Sequence, residues 1–430
     1  MKKVTAVLIG AGDRGSYAYA PYALHYPHEL AFVAVAEPNE QRRQAFAEAH
    51  GLSSEQTFES WQELLQSPSV ADIAIICTQD RMHLEPTLRA LEQGYHVLLE
   101  KPMSPDPKQC VEMELAAKKH NRMLSICHVL RYTPFWQTVK RVIREGKIGD
   151  IASVQLNENV GNLHMAHSFV RGNWNNSDVS SPMILAKSCH DMDILAYVLD
   201  KPCLRVSSFG SLMHFKEECA PEGAPERCLD GCPAEASCSY YAPRYYLGEG
   251  SGWARKITGD TSKEGILHAL RTTPYGRCVY RSDNNVVDHQ VVTMEFEGGA
   301  TAMFSMCGFT HDNTRIVQIM GTKGEIRGNM EENQITVYDF VTREQSVIRL
   351  HDSKVGHNGG DVGIIRDFLN QVRGESKGES LTSASVSVRS HLMAFAAEES
   401  RLKGGAPVDI TLFHERLTEG LHSGKEEKSL

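Results

Sequence analysis

Val4-Thr5-Ala6-Val7-Leu8-Ile9-Gly10-Ala11-Gly12-Asp13-Arg14-Gly15, close to the N-terminus, decides the fold of this chain. An uncharged run of strand length empties into a loop with Gly-x-Gly-x-x-Gly spacing, and residues 15–25 then carry helical spacing. Such glycines also mark ordinary turns; the strand before, the helix after and an acid further on point to a dinucleotide. Gly10 allows the tight turn, Gly12 admits a pyrophosphate to the backbone, and Gly15 lets the helix pack on the sheet. The helix N-terminus offers amides and dipole to the anion. Asp13 and Arg14, inside the loop, join the candidate cofactor contacts. Glu37 follows Gly15 by 22 residues, where a carboxylate accepts from the adenosine ribose. It would repel a ribose phosphate, which favours NAD over NADP, although Arg42 and Arg43 nearby could accommodate that phosphate.

With 430 residues the chain is too long for one ordinary core, so two domains are expected and three are possible. Hydrophobic residues at 41% and charged residues at 23% sit near globular averages and exclude extensive disorder. A net charge of −9 argues against nucleic acid and anionic membrane as partners. No apolar run approaches the roughly 20 residues of a bilayer span. Met1-Lys2-Lys3 leads straight into the first strand, so no signal peptide is expected and the expected compartment is the cytoplasm.

Apolar runs at 4–9, 31–36, 73–77, 95–99 and 123–127 alternate with helical spacing at 15–25, 40–50, 60–65, 83–93 and 107–120. This alternation predicts a Rossmann-type α/β domain, with a doubly wound parallel sheet, over residues 1–130. After a helix at 134–145 the texture changes to strand-like runs at 151–158, 205–209, 286–296, 301–307, 315–320, 334–340 and 345–350. Helices are expected at 184–199, 362–372 and 383–401. Residues 131–417 therefore read as an α+β domain with a large, mostly antiparallel open sheet. Residues 216–277, rich in Gly, Pro, Cys and Tyr, read as an insertion or lid, and 418–430 as a flexible tail.

Glu100-Lys101-Pro102 ends the run 95–99, where an α/β sheet presents its ligands. A lysine there, beside a nicotinamide cofactor, suggests hydride transfer with proton management. Glu100 and Lys101 also border the cofactor. Thr78 and His83, in the loop after 73–77, are further candidate contacts, and His83 equally fits a simple helix start.

With Gly10–Gly15, Thr78…His83 and Glu100-Lys101-Pro102 in this order, the chain resembles the glucose–fructose oxidoreductase, inositol dehydrogenase and rhizopine-catabolism (Gfo/Idh/MocA) family. Arg131-Tyr132-Thr133-Pro134, His190-Asp191-Met192-Asp193 and Gly321-Thr322-Lys323-Gly324-Glu325 match further family segments. The resemblance implies a Rossmann domain, a C-terminal sheet domain, and a sugar, glycoside or cyclitol bound between them. It also implies a homodimer or homotetramer formed through the sheet. Lys101 would then orient substrate and handle a proton, with His190 as general acid/base; a histidine suits that task near neutral pH. Where many members carry an aspartate, four residues before the histidine, this chain has Ala186, and the neighbour Lys187 is cationic in an apolar run. Lys187 is therefore expected in the site, where two ammonium groups would depress each other's pKa or bind an anionic sugar such as a uronate or sulfonate. Alternatively it faces solvent. Asn159, Asn162, His164, Arg171 and Trp174 form a polar-aromatic stretch suited to sugar hydroxyls and C–H faces, or to a surface loop. Arg131 and Asp193, in the matched segments, join the substrate candidates. Asp361, after Gly359-Gly360, is expected to cap a helix.

Most of the eleven cysteines stand singly in apolar context, as Cys77, Cys127, Cys189 and Cys307 do. Cys219, Cys228, Cys232 and Cys238 could assemble a structural zinc site, or remain reduced in a lid packed by Tyr240, Tyr241, Tyr245 and Tyr246. Hydride chemistry needs no catalytic metal. The expected function is NAD-dependent oxidoreduction of a sugar, glycoside or cyclitol alcohol. The alternatives are an NAD-dependent redox glycosidase (oxidation, elimination, hydration, reduction) and a non-catalytic NAD or sugar sensor.

Overall fold

The computed structural model describes residues 2–426 apart from Ser67, Glu249, 352–355 and Lys377, with side chains of the last helix described through Glu419. Strands β1 (Val4–Ile9), β2 (Leu30–Ala36), β3 (Thr57–Phe58), β4 (Ile73–Ile76), β5 (His96–Leu99) and β6 (Leu124–Ile126) form one parallel sheet in the order β3-β2-β1-β4-β5-β6. Crossover helices cover its faces, which is why β4 is buried at every residue. Ile9 pairs with both Ala36 and Ile76, and Ile76 pairs with Leu99. The carboxyl ends of four strands are thus level, so Gly10, Glu37, Cys77 and Glu100 share one edge. That edge is where a doubly wound sheet binds ligands.

The segment after the glycine loop differs from the single helix expected over 15–25. It is a π-helical turn, Asp13–Tyr19, followed by a short α-helix, Pro21–His25. Pro21 has no N–H to give to a helical ladder, and the Ala20 N–H reaches five residues back to the Gly15 carbonyl, at 3.0 Å.

The second sheet contains β7 (Ile151–Gly161), β8 (Cys203–Ser211), β9 (His289–Phe296), β10 (Thr301–Thr310), β11 (Thr314–Gly321), β12 (Gly324–Asn329), β13 (Gln334–Asp339), β14 (Gln345–Arg349) and β15 (Val408–Asp409). Their order is β14-β13-β12-β11-β7-β10-β9-β8-β15, with β7–β10 parallel and the other pairs antiparallel. Alternate residues of β9 and β10 are buried under helices, and the opposite face is open. The Ala384–Leu402 helix packs on β8, on the Cys189–Leu199 helix and on the Pro107–Lys119 helix of the first sheet. It is buried nearly all round, and its small Ala394, Ala396 and Ala397 permit that close approach.

The chain also returns to the nucleotide-binding sheet. Ile364, Ile365, Phe368 and Leu369 of the Gly360–Val372 helix enter the core built by Leu8, Tyr22, Leu30 and Val35. A division at residue 130 would assign this helix to the second unit, yet its apolar stripe is buried by the first. Residues of the 216–277 insertion build a small core of their own around Ala242, Tyr246, Ala254, Ile266 and Leu270. The last helix, Ile410–Glu426, runs into the expected tail, of which 427–430 lie outside the described residues. Among the described residues no helix is long and apolar enough to cross a membrane.

Phe368→Ala leaves a cavity under the returning helix and is expected to lower stability by about 3–5 kcal/mol, read from the urea midpoint.

Candidate functional site

Three glycines shape the nucleotide end. Gly10 sits at φ +94°, and a Cβ there would lie 2.7 Å from the Cys77 carbonyl oxygen. A Cβ on Gly15 would lie 2.2 Å from the Gly10 carbonyl oxygen. A Cβ on Gly12 would meet nothing within 4 Å, so the loop is open on the side from which a pyrophosphate would approach. The chain therefore has the cradle that a dinucleotide requires. Glu37, buried at the end of β2, accepts the Ala11 N–H at 2.8 Å and the Asn39 N–H at 2.9 Å, which fixes it against this loop. Arg43 turns back onto the Glu37 carbonyl and Glu59, while Arg42 is exposed.

Arg14 departs from its expected role. Its Nε donates to Glu100 at 2.6 Å, and its Nη2 donates to Asp361 at 2.8 Å and to the Tyr19 hydroxyl at 2.6 Å. The guanidinium is occupied by two carboxylates and a tyrosine hydroxyl. Glu100 is likewise committed, accepting from Arg14, Tyr19 and the Lys101 N–H. Burial pushes the Glu100 carboxyl up, but Arg14 and Lys101 outweigh it and hold the group below its ordinary value. His83 is buried with its Nδ1 2.8 Å from the Pro102 carbonyl and its Nε2 3.0 Å from the Thr78 carbonyl. It ties the Thr78 loop to the Glu-Lys-Pro turn rather than facing a cofactor. The Thr78 hydroxyl donates to Met82 O at 3.3 Å. Asp13 is half-exposed, and its carboxylate lies 3.5 Å from Lys256 of the insertion. The insertion thereby reaches over the glycine loop, as a lid would.

Lys101 lies just beyond a strand of the first sheet, and His190 lies on the Cys189–Leu199 helix, which packs on β7 of the second. Lys101 follows β5, and its Nζ donates to the Ala186 carbonyl at 2.9 Å. The expected helix over 184–199 is broken into Met183–Ala186 and Cys189–Leu199, so Ala186 ends a helical turn and its carbonyl receives a cation. A main-chain oxygen thus supplies an acceptor at the position where the family pattern has a carboxylate. His190, second residue of the second piece, is buried, and its Nδ1 has no hydrogen-bond partner among the described residues. Burial, Lys101, His128, Arg315 and His357 all disfavour its charged form and hold it well below the usual histidine range. His128 and His391 pack behind it, with ring centroids 5.9 Å and 5.3 Å apart in sequence from His190 to His128 to His391.

Lys187 does not supply the second free ammonium expected beside Lys101. Its Nζ pairs with Glu158 at 3.0 Å. Arg315 bridges the same carboxylate at 2.5 Å and Asp191 at 2.7 Å, so two cations face two carboxylates. Burial and Glu158 raise the Asp191 carboxyl against the pull of Arg315.

Several substrate candidates are structural. Arg131 donates from Nε and Nη2 to the two Asp193 oxygens, at 2.6 and 2.7 Å, and both side chains are buried. Arg171 is buried against the Arg277 and Tyr240 carbonyls, which anchors the insertion. Trp174 packs on Phe169, with ring centroids 6.2 Å apart. His164 lies 2.8 Å from Asn313 Oδ1, and its ring meets Trp253 of the insertion at 4.9 Å. Asn159 is half-buried on β7. The cysteines do not assemble the expected zinc site: among the described residues no group of three or more His, Cys, Asp or Glu side chains could hold a metal. Cys219 donates to Met213 O, and Arg171 Nη2 lies 3.7 Å from Cys228 Sγ, where a cation already stands.

Sequence reasoning missed Tyr19, Glu158, Arg315 and His357, and gave Asp361 only a capping role. Glu158 carried a signal, because it stands in the inward row Val154, Leu156, Glu158, Val160, where an unpaired carboxylate would be costly. The others act through contacts with residues distant in the chain.

The family described as "Oxidoreductase family, NAD-binding Rossmann fold" matches residues 4–128, and "Oxidoreductase family, C-terminal alpha/beta domain" matches 140–410. The chain belongs to this Gfo/Idh/MocA family and is an NAD(P)-dependent oxidoreductase. YteT of Bacillus subtilis (strain 168) is 26% identical over 317 residues, 70% of this chain and 72% of YteT. The D-glucoside 3-dehydrogenase of Escherichia coli (strain K12) is 32% identical over 144 residues, 34% of this chain and 40% of that enzyme. Levoglucosan dehydrogenase, solved with NADH and levoglucosan, shares the fold at a TM-score of 0.71 and 18% identity, with 95% of this chain and 99% of that chain covered. The WlbA dehydrogenase of Bordetella pertussis, solved with NADH and UDP-GlcNAcA, does so at 0.66 and 17%, covering 95% and 98%.

Burial holds His128 at about 4 and His391 at about 3. The unfolded chain, with histidines near 6.5, binds more protons than the folded chain below that value, so stability is full above about pH 6.5 and falls as pH drops toward 4. At pH 5 each ring is expected to cost about 2 kcal/mol. Urea midpoints at pH 7 and pH 5 check this, and His391→Gln should reduce the difference by about 2 kcal/mol, the share of one ring.

Proposed function

We propose that this chain transfers hydride between a secondary alcohol of a sugar, glycoside or cyclitol and NAD. The observation that carries this reading is Lys101 at the ligand-binding edge of the first sheet, bonded to Ala186 O just ahead of the His190 helix and close enough to His190 to disfavour its charged form. When bound, the nicotinamide ring supplies the hydride acceptor. The Lys101 ammonium, with one proton held by Ala186 O, keeps protons to donate to the substrate oxygen as it gains negative character. His190, neutral through burial and free at Nδ1, can take the hydroxyl proton. Gly10, Gly12 and Gly15 would receive the pyrophosphate, and Glu37 beside Ala11 would disfavour a ribose phosphate, which supports NAD over NADP. His164 and Trp253 of the insertion, with ring centroids 4.9 Å apart, offer an aromatic surface for carbohydrate C–H groups. The glucoside and levoglucosan dehydrogenases among similar proteins support a carbohydrate. Phe209, Val291, Met303 and Ile316, exposed on β8 to β11, support self-association through the open sheet face.

Nicotinamide absorbance across a panel of sugars, glycosides and cyclitols tests the reading. Turnover with a member of the panel is expected, and Lys101→Ala should lower kcat by about 10²–10⁴-fold with NADH binding retained. Aglycone release without net cofactor reduction would instead assign a redox glycosidase. Ligand binding without chemistry in either protein would assign a sensor. Met303→Glu is expected to shift the protein toward monomer in light scattering.

A further inference from the structure

His190 is poorly placed to keep a proton. Four groups surround it that are cationic or become so on protonation, Lys101, His128, Arg315 and His357, and among the described residues no carboxylate is bonded to it. A proton it receives must leave for the reaction to continue. Lys101 and Arg315 carry charge already, and His128 is fully buried. His357 is different. Its side chain is 42% exposed, its ring centroid lies 6.3 Å from that of His190, and its Nδ1 stands 3.1 Å from both oxygens of Asp361. Asp361 is not the helix cap expected from its position. The Gly360–Val372 helix is capped at Gly359, without a side-chain bond, and the carboxylate of Asp361 turns instead to His357 and Arg14.

An acceptor on the Nδ1 side selects the tautomer. The Nδ1–H donates to Asp361, which leaves Nε2 with its lone pair. Among the described residues the ring is also faced by His190 and by Arg14, whose Nη1 lies 3.4 Å from Nδ1, on the same side as the carboxylate. Burial raises the Asp361 carboxyl, but the His357 bond and Arg14 outweigh it and hold it well below the ordinary carboxylate range, so it stays ionised. The backbone adds an independent sign. His357 sits at φ +45° and Asn358 at φ +50°, a left-handed conformation that non-glycine residues seldom adopt and that tertiary contacts must hold.

We propose that His357, positioned by Asp361, is the proton outlet of the site and passes the alcohol proton from His190 to solvent. The inference rests on the hydride-transfer reading above. In the oxidation direction the C–H bond breaks and its electron pair leaves with hydride for the nicotinamide. The O–H bond breaks, C=O forms, and the proton moves to His190, then to Nε2 of His357, then to water. In reduction the same path runs inward.

The test compares wild type, His357→Asn and Asp361→Asn as full-length protein. Asparagine keeps the left-handed backbone accessible, so His357→Asn removes the imidazole with little strain. Expected for His357→Asn are a kcat lowered about 10²-fold, a changed pH profile, partial rescue by added imidazole, and KM and NADH fluorescence titrations within about 2-fold of wild type. Imidazole ¹⁵N spectra of the NADH-loaded proteins should show His357 protonated at Nδ1 in wild type and mixed in Asp361→Asn, a readout independent of turnover. A His357→Asn pH profile superimposable on wild type, or no rescue by imidazole, overturns the outlet and leaves the hydride-transfer reading standing. No turnover by wild type across the panel, with NADH still bound, overturns both.

Discussion

The interaction on which the site depends is the pairing of Arg14 with Glu100 and Asp361. A guanidinium placed inside the nucleotide loop is bonded to a carboxylate one residue before Lys101 and to another on the helix that returns from the C-terminal part of the chain. Both carboxylates are nearly buried, and a buried charge left unpaired costs several kcal/mol, so these segments are held in one mutual register. Tyr19 adds its hydroxyl to the same cluster. The loop that would cradle the cofactor, the lysine that would meet the substrate and the histidine beside Asp361 are therefore positioned by one cation.

The rest of the site follows the same electrostatic logic. Lys187 and Arg315 are paired with Glu158 and Asp191, so neither cation is left unpaired in the interior. Arg131 and Asp193 neutralise each other behind it. Lys101 faces a carbonyl rather than a carboxylate, which leaves its charge unspent for a substrate oxygen. His190, with no anion bonded to it among the described residues, is held by burial and the cations around it as a neutral imidazole. The site thus separates a lasting positive charge from a group able to accept a proton. Alcohol oxidation needs both.

How much of this was legible depended on the range of the interaction. The glycine loop, the alternation of strands and helices, Glu37 and Lys101 are patterns within a few dozen residues, and the structure places them along one sheet edge. His190 was legible through its family segment. Arg14, His83, Arg131, Asp193 and Arg171 stand in the right neighbourhoods, but their polar atoms are taken by other parts of the protein. A sequence names donors and acceptors without saying which are already satisfied. Lys187 illustrates this: beside Ala186 it looked like a second active-site ammonium, and only the inward row of β7 reveals its partner Glu158. The cysteine cluster illustrates the opposite error, since closeness in sequence did not produce a metal-holding geometry among the described residues.

By itself the sequence determined the class of fold, the cofactor cradle and the lysine beyond the fifth strand. These rest on local backbone requirements: glycine where a Cβ would strike a carbonyl, and uncharged runs where both faces are covered. Only the tertiary structure decided the charge state and company of the side chains. Arg14 meets Asp361 across 347 positions of sequence, and Lys101 meets Ala186 across 85. Pairing energies depend on burial and distance, and neither is written in the order of residues. The loop and the lysine with which the chain announces itself are therefore read locally, whereas what they can do with a proton is settled by segments folded in from the far end.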